Sequence, residues 1–159
     1  MVLSPSHIVE AYCLGVLFRK PELLYRLDRQ LQGAGLLSLT PDDFDYTDHQ
    51  LFLKIIRQSL EQVDADHHAY VVNNLPDYIS ELSRELLAQS EQFKQQDDVL
   101  VDDLRRMVKK IRLSKTAEQI NQYRFLQEDA QQSGDPRARD YQNETVRLTK
   151  LRRLIDNAG

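Results

Sequence analysis

Three pairs of adjacent carboxylates are the residues of this chain that most resemble a catalytic or metal-binding arrangement. The pairs are Asp42 with Asp43, Asp97 with Asp98, and Asp102 with Asp103. Neighbouring residues on an α-helix point in different directions, so the two carboxylates of a pair cannot coordinate one metal ion or share one proton. The first two pairs stand where helices are expected to begin, and negative charge there complements the helix dipole. We therefore predict that these carboxylates cap helices.

The histidines and the single cysteine lack the spacing of a metal site or an activated nucleophile. His67 and His68 point apart on a helix, whereas His7 and His49 are remote in sequence, and a histidine metal site needs convergent ligands. Cys13 lies in an apolar run, where a thiol is buried and unreactive. Neither G-x-x-x-x-G-K-[ST] nor G-x-G-x-x-G occurs, so no phosphate-binding glycine loop is indicated. We expect no catalytic residue, no metal and no cofactor.

A basic strip in the second half of the chain could contact phosphates. Its members are Arg105, Arg106, Lys109, Lys110, Arg112 and Lys115. Asp102 and Asp103 stand close by, which favours a solvated helix face with ion pairs, while a nucleic-acid-binding strip remains the alternative. Residues 94–159 hold 14 Lys and Arg against 11 Asp and Glu, a net charge of +3. This charge is far from a dense basic patch, so we expect nucleic-acid contact to be weak at most.

Composition restricts the class of protein. The chain has 159 residues, of which 29% are charged and 41% apolar, with only five glycines and five prolines; this scarcity favours long helices over a turn-rich sheet. Residues 1–93 hold 7 Lys and Arg against 14 Asp and Glu, a net charge of −7. No apolar stretch approaches the ~18 residues of a membrane span, and no secretory signal is recognisable. We expect a cytoplasmic protein that does not enter a membrane.

Helix signals predict five or six short helices before a long one. Ser4 stands before Pro5 as an N-cap, and Pro21 ends the first helix at Lys20. That helix is apolar on nearly every side, with Glu10 and Gly15 as exceptions, which is typical of the centre of a bundle. For Gly15 we expect close approach of a neighbouring helix. Thr40 with Asp43 is predicted to cap a short turn, and Thr47 the helix that follows.

Residues 96–132 are predicted to form the long helix, about 55 Å if unbroken. Its apolar residues form two stripes at helical spacing, the second beginning only two residues after Ile111, so the helix serves two partners. The stripes are Leu100, Leu104, Met107, Val108, Ile111, and then Leu113, Ala117, Ile120, Tyr123, Leu126. Two helices with a break near Ser114 are the alternative. A turn at 133–136 precedes the last helix, 136–157.

The predicted fold is therefore all-α, a small helical bundle followed by a long connecting helix and a C-terminal helical hairpin. We assign residues 1–95 to the bundle, 96–132 to the connecting helix, and 133–159 to the terminal helix that completes the hairpin. Composition and spacing by themselves indicate a non-catalytic helical interaction module.

Two segments carry a resemblance to a known family. Residues 12–24 (YCLGVLFRKPELL) resemble the opening of the C-terminal domain of bacterial DnaG-type primases, in which an apolar helix ends in a basic pair before Pro-Glu-Leu. Residues 39–44 (LTPDDF), with His49 and Phe52, are similar to that family's second signature. The N-terminal domain of DnaB-type replicative helicases has a related pattern, but a long helix, a Gly-Asp-Pro turn and a last helix with Leu148 and Leu151 are more like the primase.

The resemblance implies a domain whose hairpin docks on the replicative DNA helicase and whose bundle modulates it during primer synthesis. The family's zinc-binding and polymerising domains have no counterpart here, so the chain is expected to be a non-catalytic part of a larger primase, an enzyme that makes RNA primers. The domain itself is expected to be monomeric. The alternative assignment, the helicase's own N-terminal domain, predicts self-association, and a monomer would count against it.

The last helix is also a binding candidate on physical grounds. Its apolar residues cover an arc too wide for one neighbouring helix, and arginines frame them. A hairpin that simply folds back on the bundle is the competing interpretation. The predicted partner-binding residues are Tyr141, Arg147, Leu148, Leu151, Arg152, Leu154 and Ile155.

Overall fold

A computed structural model describes residues 5–64 and 66–158 and shows an all-α fold, as predicted. No strand occurs in these ranges, and Ser4, the predicted N-cap, lies outside them. None of the described helices combines the length and the apolar character needed to cross a membrane. The helices are α1 (Pro5–Arg19), α2 (Leu23–Gly33), α3 (Thr47–Leu60), α4 (His67–Asn74), α5 (Ser80–Ser90), α6 (Asp97–Ser133) and α7 (Ala138–Asn157), with 3₁₀ turns at Pro41–Asp43 and Asp77–Ile79.

Helix α1 is the central element of the bundle, as its apolar sequence predicts. Cys13, Leu14 and Leu17 are completely buried, and the Phe18 ring meets Phe52 of α3 edge to face, with 5.1 Å between the centroids. The expected close approach at Gly15 is confirmed. A Cβ there would lie 3.4 Å from the Phe93 ring and 3.6 Å from the Leu86 carbonyl oxygen of α5.

The start of α3 shows how side chains remote in sequence can replace a local cap. Asp43 accepts a hydrogen bond from the Thr40 backbone N–H at 3.0 Å, as predicted. The predicted cap by Thr47 is wrong, because α3 begins at Thr47 and its N-cap, Tyr46, contributes no side-chain bond. Instead, the Glu10 carboxylate accepts from the N–H of Asp45 at 2.9 Å and of Tyr46 at 3.5 Å.

The described residues form two compact units. The first contains 5–33 and Leu37–Ile111, and the second contains Ala34–Leu36 and Arg112 onward. Helix α6 belongs to both units and is continuous through Ser114, so the alternative of two separate helices is wrong. Its first stripe is buried in the first unit at Leu100, Leu104, Val108 and Ile111, and Val101 is buried as well.

The second unit is a helical hairpin whose turn uses standard helix-ending chemistry. Gly134 has φ of +72°, a left-handed conformation that favours glycine. The Asp135 N–H donates to the Ala130 carbonyl at 2.8 Å, which closes the last turn of α6. The Asp135 carboxylate accepts from the Arg137 backbone N–H at 2.9 Å and from its guanidinium at 2.7 Å. Helix α7 begins at Ala138, two residues after the predicted Pro136.

Candidate partner-binding hairpin

One face of each hairpin helix is turned inward. On α6 the residues Thr116, Ile120 and Ala130 are buried, and Tyr123 is part-buried. These positions follow the spacing i, i+4, i+7, i+14, which keeps one face of a helix toward a partner helix. The Tyr123 and Tyr141 rings lie 6.2 Å apart, which aligns α6 with α7. Leu126, expected on the inner stripe, is instead exposed.

The predicted partner-binding residues fall into two groups on α7. Leu148 and Ile155 are buried, and they continue the inward stripe from Tyr141 at seven-residue spacing. Leu151 and Leu154 are 36% and 47% exposed. Arg152 is exposed as well. The accessible apolar surface of α7 is therefore narrower than the sequence indicates.

Arg147 stands with the two exposed leucines. Arg147, Leu151 and Leu154 are spaced i, i+4, i+7 and so lie along one side of α7. We call these three residues the α7 stripe. The guanidinium of Arg147 donates to Glu144 at 2.8 Å, and this hydrogen bond raises the pKa of Arg147 and lowers that of Glu144. The stripe thus presents two leucines beside an arginine that is ion-paired with Glu144.

Sequence reasoning missed the exposed aromatic residue of the hairpin. Phe125 is 70% exposed and sits on α6 next to Leu126, away from the buried positions Ile120 and Ala130. The available signal was the run of buried positions from Thr116 to Ala130, which leaves Phe125 on the outer face. A search for apolar residues at helical spacing misses this run, because it includes polar residues such as Thr116.

Two arginines of the basic strip form ion pairs along their own helix. Arg105 lies 4.0 Å from Asp102, and Arg106 lies 3.6 Å from Asp103, both pairs at i, i+3. Lys109, Arg112 and Lys115 also have interactions within the described chain, as does Arg105. Asp103 in addition accepts a hydrogen bond from the Tyr12 hydroxyl at 3.3 Å. Burial is the larger cause of the raised pKa of Tyr12, and the nearby Asp103 carboxylate raises it further.

The carboxylates at the start of α6 pair across the bundle. Asp97 meets the Lys20 ammonium at 2.5 Å, and Asp98 pairs with Arg26 of α2. These ion pairs hold the first turn of α6 against α2 and the end of α1. Both residues lie in the first turn of α6, where capping was predicted.

The adjacent histidines serve as hydrogen-bond donors to helix ends. The His67 Nδ1 lies 2.7 Å from the Ser59 carbonyl oxygen, and the His68 Nδ1 lies 2.8 Å from that of Phe18. Because a carbonyl only accepts, Nδ1 carries the proton in both rings. The His68 ring also stacks on Phe18, with 4.6 Å between the centroids. Both side chains therefore satisfy carbonyls in the last turns of α1 and α3.

The other two histidines meet although they are remote in sequence. The rings of His7 and His49 lie 4.8 Å apart, and His49 Nδ1 is 2.9 Å from the Glu10 carboxylate. Glu10 and His49 are almost fully buried. Sequence reasoning missed this cluster, because Glu10 looked like an isolated polar residue on an apolar helix. No group of three or more His, Cys, Asp or Glu side chains within 5–64 and 66–158 has metal-binding geometry.

Cys13 has the environment of a packing residue. Its side chain is completely buried. Burial, with a smaller contribution from the charge of Glu10, raises the pKa of the Cys13 thiol to about 12. A thiol with such a pKa is protonated at neutral pH and is a poor nucleophile.

Comparison of this chain with protein-family models, with curated proteins and with solved structures yields no match.

Proposed function

We propose that this chain is the helicase-binding module of a bacterial DnaG-type primase, docking on and modulating a DnaB-type replicative helicase during primer synthesis in the cytoplasm. In this proposal the module has no catalytic activity of its own, and the polymerising activity belongs to the rest of the primase. The sequence resemblance of residues 12–24 and 39–52 is the origin of the proposal. The shape of the hairpin surface is what makes it testable.

The residues that carry the resemblance have a common structural role. Pro21 forms the α1–α2 turn, and the leucines that follow it, Leu23 and Leu24, are buried. Phe44 and Phe52 are completely buried as well. These apolar positions of both signatures therefore lie in the interior of the bundle. They support an assignment of the fold and leave partner recognition to other residues.

The observation that carries the docking proposal is the α7 stripe. Leu151 and Leu154 are each more than a third exposed, and they lie beside Arg147 on one side of α7. They are not needed for the packing of α7 on α6, because the buried Leu148 provides that contact. Apolar residues at i and i+3 beside a charged residue suit the helix-in-groove mode of recognition. A partner groove with acidic residues at its edge would complement Arg147 and raise the association rate.

A pair of matched substitutions tests the proposal. Leu154 and Val146 are 47% and 48% exposed on the same helix, but Val146 stands two residues before Leu148 and so on the side away from α6. We expect Leu154→Gln to weaken binding to the cognate helicase about tenfold, the effect of losing an apolar anchor, and Val146→Gln to leave it nearly unchanged. The measurement is calorimetric titration with the purified helicase.

Deletion of the chain from Ser133 onward is the coarser test. It should abolish helicase binding while the circular dichroism of the bundle helices is retained. Full affinity in the truncated chain, or equal losses for Leu154→Gln and Val146→Gln, would contradict the proposal.

A further inference from the structure

Two adjoining cavities beside α1 and α5 form a groove on the bundle, which we call the α1–α5 groove. The two helices approach closely at Gly15, where a Cβ would lie 3.6 Å from the Leu86 carbonyl oxygen. Toward the start of α1 they bound a cavity of about 90 Å³, and this adjoins a second cavity of about 250 Å³ at the start of α3, with His7 and Leu82 lining both. The remaining lining residues are Ile8, Ala11, Glu85, Leu86 and Gln89 in the first cavity, and Tyr46, Thr47, Asp48 and His49 in the second.

The α1–α5 groove is lined by polar and apolar side chains in similar proportion, and its charged lining residues are acidic. Ile8 is 57% exposed, an unusual position for an isoleucine beside a cavity, and Leu82 is part-buried. Glu85 and Asp48 are exposed at the edge, and neither has an ion-pair or hydrogen-bond partner among the residues that the structure describes. No Lys or Arg lines either cavity.

The segment beside the second cavity has the same sign of charge. Residues 42–48, which include the lining residues Tyr46, Thr47 and Asp48, contain four aspartates and no Lys or Arg. Such a field attracts cations and repels acidic segments, so it selects partners by charge as well as by shape. Ile8 and Leu82 can in addition cover an aliphatic side chain of the partner, which a free metal ion or a nucleic acid does not have.

We propose that the α1–α5 groove binds a cationic amphipathic peptide segment of a partner protein, with an aliphatic side chain against Ile8 and Leu82 and a Lys or Arg paired with Glu85 or Asp48. This site is separate from the α7 stripe and does not depend on helicase docking there. The hairpin and the bundle would then engage different segments.

The probe for this site is a short synthetic peptide with leucines at helical spacing and lysines elsewhere. Its counterpart carries glutamate in place of each lysine. Titrated into the ¹⁵N-labelled full chain, the lysine peptide should shift the amide signals of Ile8, Leu82 and Gln89, and the glutamate peptide should not. Equal binding of the two peptides, shifts confined to other helices, or no binding would each overturn the proposal.

Charge reversal and removal of the anchor locate the site. Glu85→Lys should weaken binding of the lysine peptide about fivefold, as expected of an exposed charge pair. The matched control is Glu61→Lys, which makes the same change at an exposed position outside both cavities and should leave the affinity within about twofold. Ile8→Gln removes the aliphatic contact without adding charge and should also weaken binding. Equal effects of Glu85→Lys and Glu61→Lys would show nonspecific attraction to the acidic bundle and would overturn the proposal.

Discussion

In the first unit a buried carboxylate is held by three donors, whereas the ion pairs described in the second unit, Asp135–Arg137 and Glu144–Arg147, lie at the surface. The difference follows from the number of helices. Several helices surround α1 and can enclose a polar group completely, provided that they also satisfy it. A two-helix hairpin covers only one face of each helix, so its charges stay in water.

The apolar side chains of the two units also differ in how far they are exposed. In the bundle, Leu14, Leu17 and Phe52 have no exposed surface, while in the hairpin Phe125 and Leu154 remain largely accessible. Exposed apolar residues on a short hairpin leave surface for a partner, whereas the fully enclosed ones of the bundle stabilise the fold. The comparison therefore separates the residues that should control stability from those that should control binding.

Removing a core aromatic residue of the bundle should have the largest effect on stability. Phe52→Ala leaves a cavity next to Phe18 and is expected to lower the free energy of unfolding by about 4 kcal/mol. Urea denaturation followed by circular dichroism measures the total, and hydrogen exchange resolved by residue shows whether α1 and α3 are the helices affected. A loss below about 1 kcal/mol would mean that the bundle is not the more tightly packed unit.

Breaking the buried pair of Glu10 and His49 should have the second-largest effect on stability. Glu10→Ala removes the acceptor for Asp45, Tyr46 and His49, and we expect a loss of about 3 kcal/mol in the free energy of unfolding. Glu10→Gln keeps the shape and one oxygen acceptor, and should cost about 1 to 2 kcal/mol. Both are measured by urea denaturation. An alanine variant as stable as the glutamine variant would indicate that the buried hydrogen bonds contribute little.

The corresponding truncation in the hairpin should cost less. Leu148→Ala is expected to lower stability by about 2 kcal/mol, because a two-helix unit can close over the lost side chain more easily than the bundle can. Hydrogen exchange should rise in α7 and in the second half of α6. If instead Leu148→Ala destabilises as much as Phe52→Ala, the proposed difference between the two units is incorrect.

The surface pair at the hairpin turn should have the smallest effect, and it should depend on pH. The Arg137 side-chain hydrogen bond, followed by its backbone N–H, lowers the pKa of Asp135 below the ordinary value of 3.8. The stabilisation is therefore present above the ordinary pKa and is lost as pH falls through the lowered value. An NMR titration of the Asp135 carboxyl group measures this pKa. Arg137→Gln removes the guanidinium but keeps the backbone N–H, so it should raise this pKa toward the ordinary value without restoring it completely. An unchanged midpoint would contradict the role of the Arg137 side chain.

Much of the fold could be predicted because helix starts, ends and faces are encoded locally. Pro21 and Gly134 mark chain breaks, and the spacing of Leu100, Leu104 and Val108 marks a buried face; the structure agrees with each. The candidate site was less predictable. Leu148 and Leu154 are both leucines on one helix, and only the direction from which α6 approaches decides which one is buried.

The sequence alone therefore determined the all-α class, the long helix and the first of its two apolar stripes, because proline, glycine and a 3.6-residue period act over a few residues. Tertiary structure decided the rest. It brought Glu10 to His49 and the start of α3, placed His68 on Phe18, and left Phe125 and Leu154 exposed. These outcomes depend on which helices meet and at what register, and that information is spread over residues far apart in the chain.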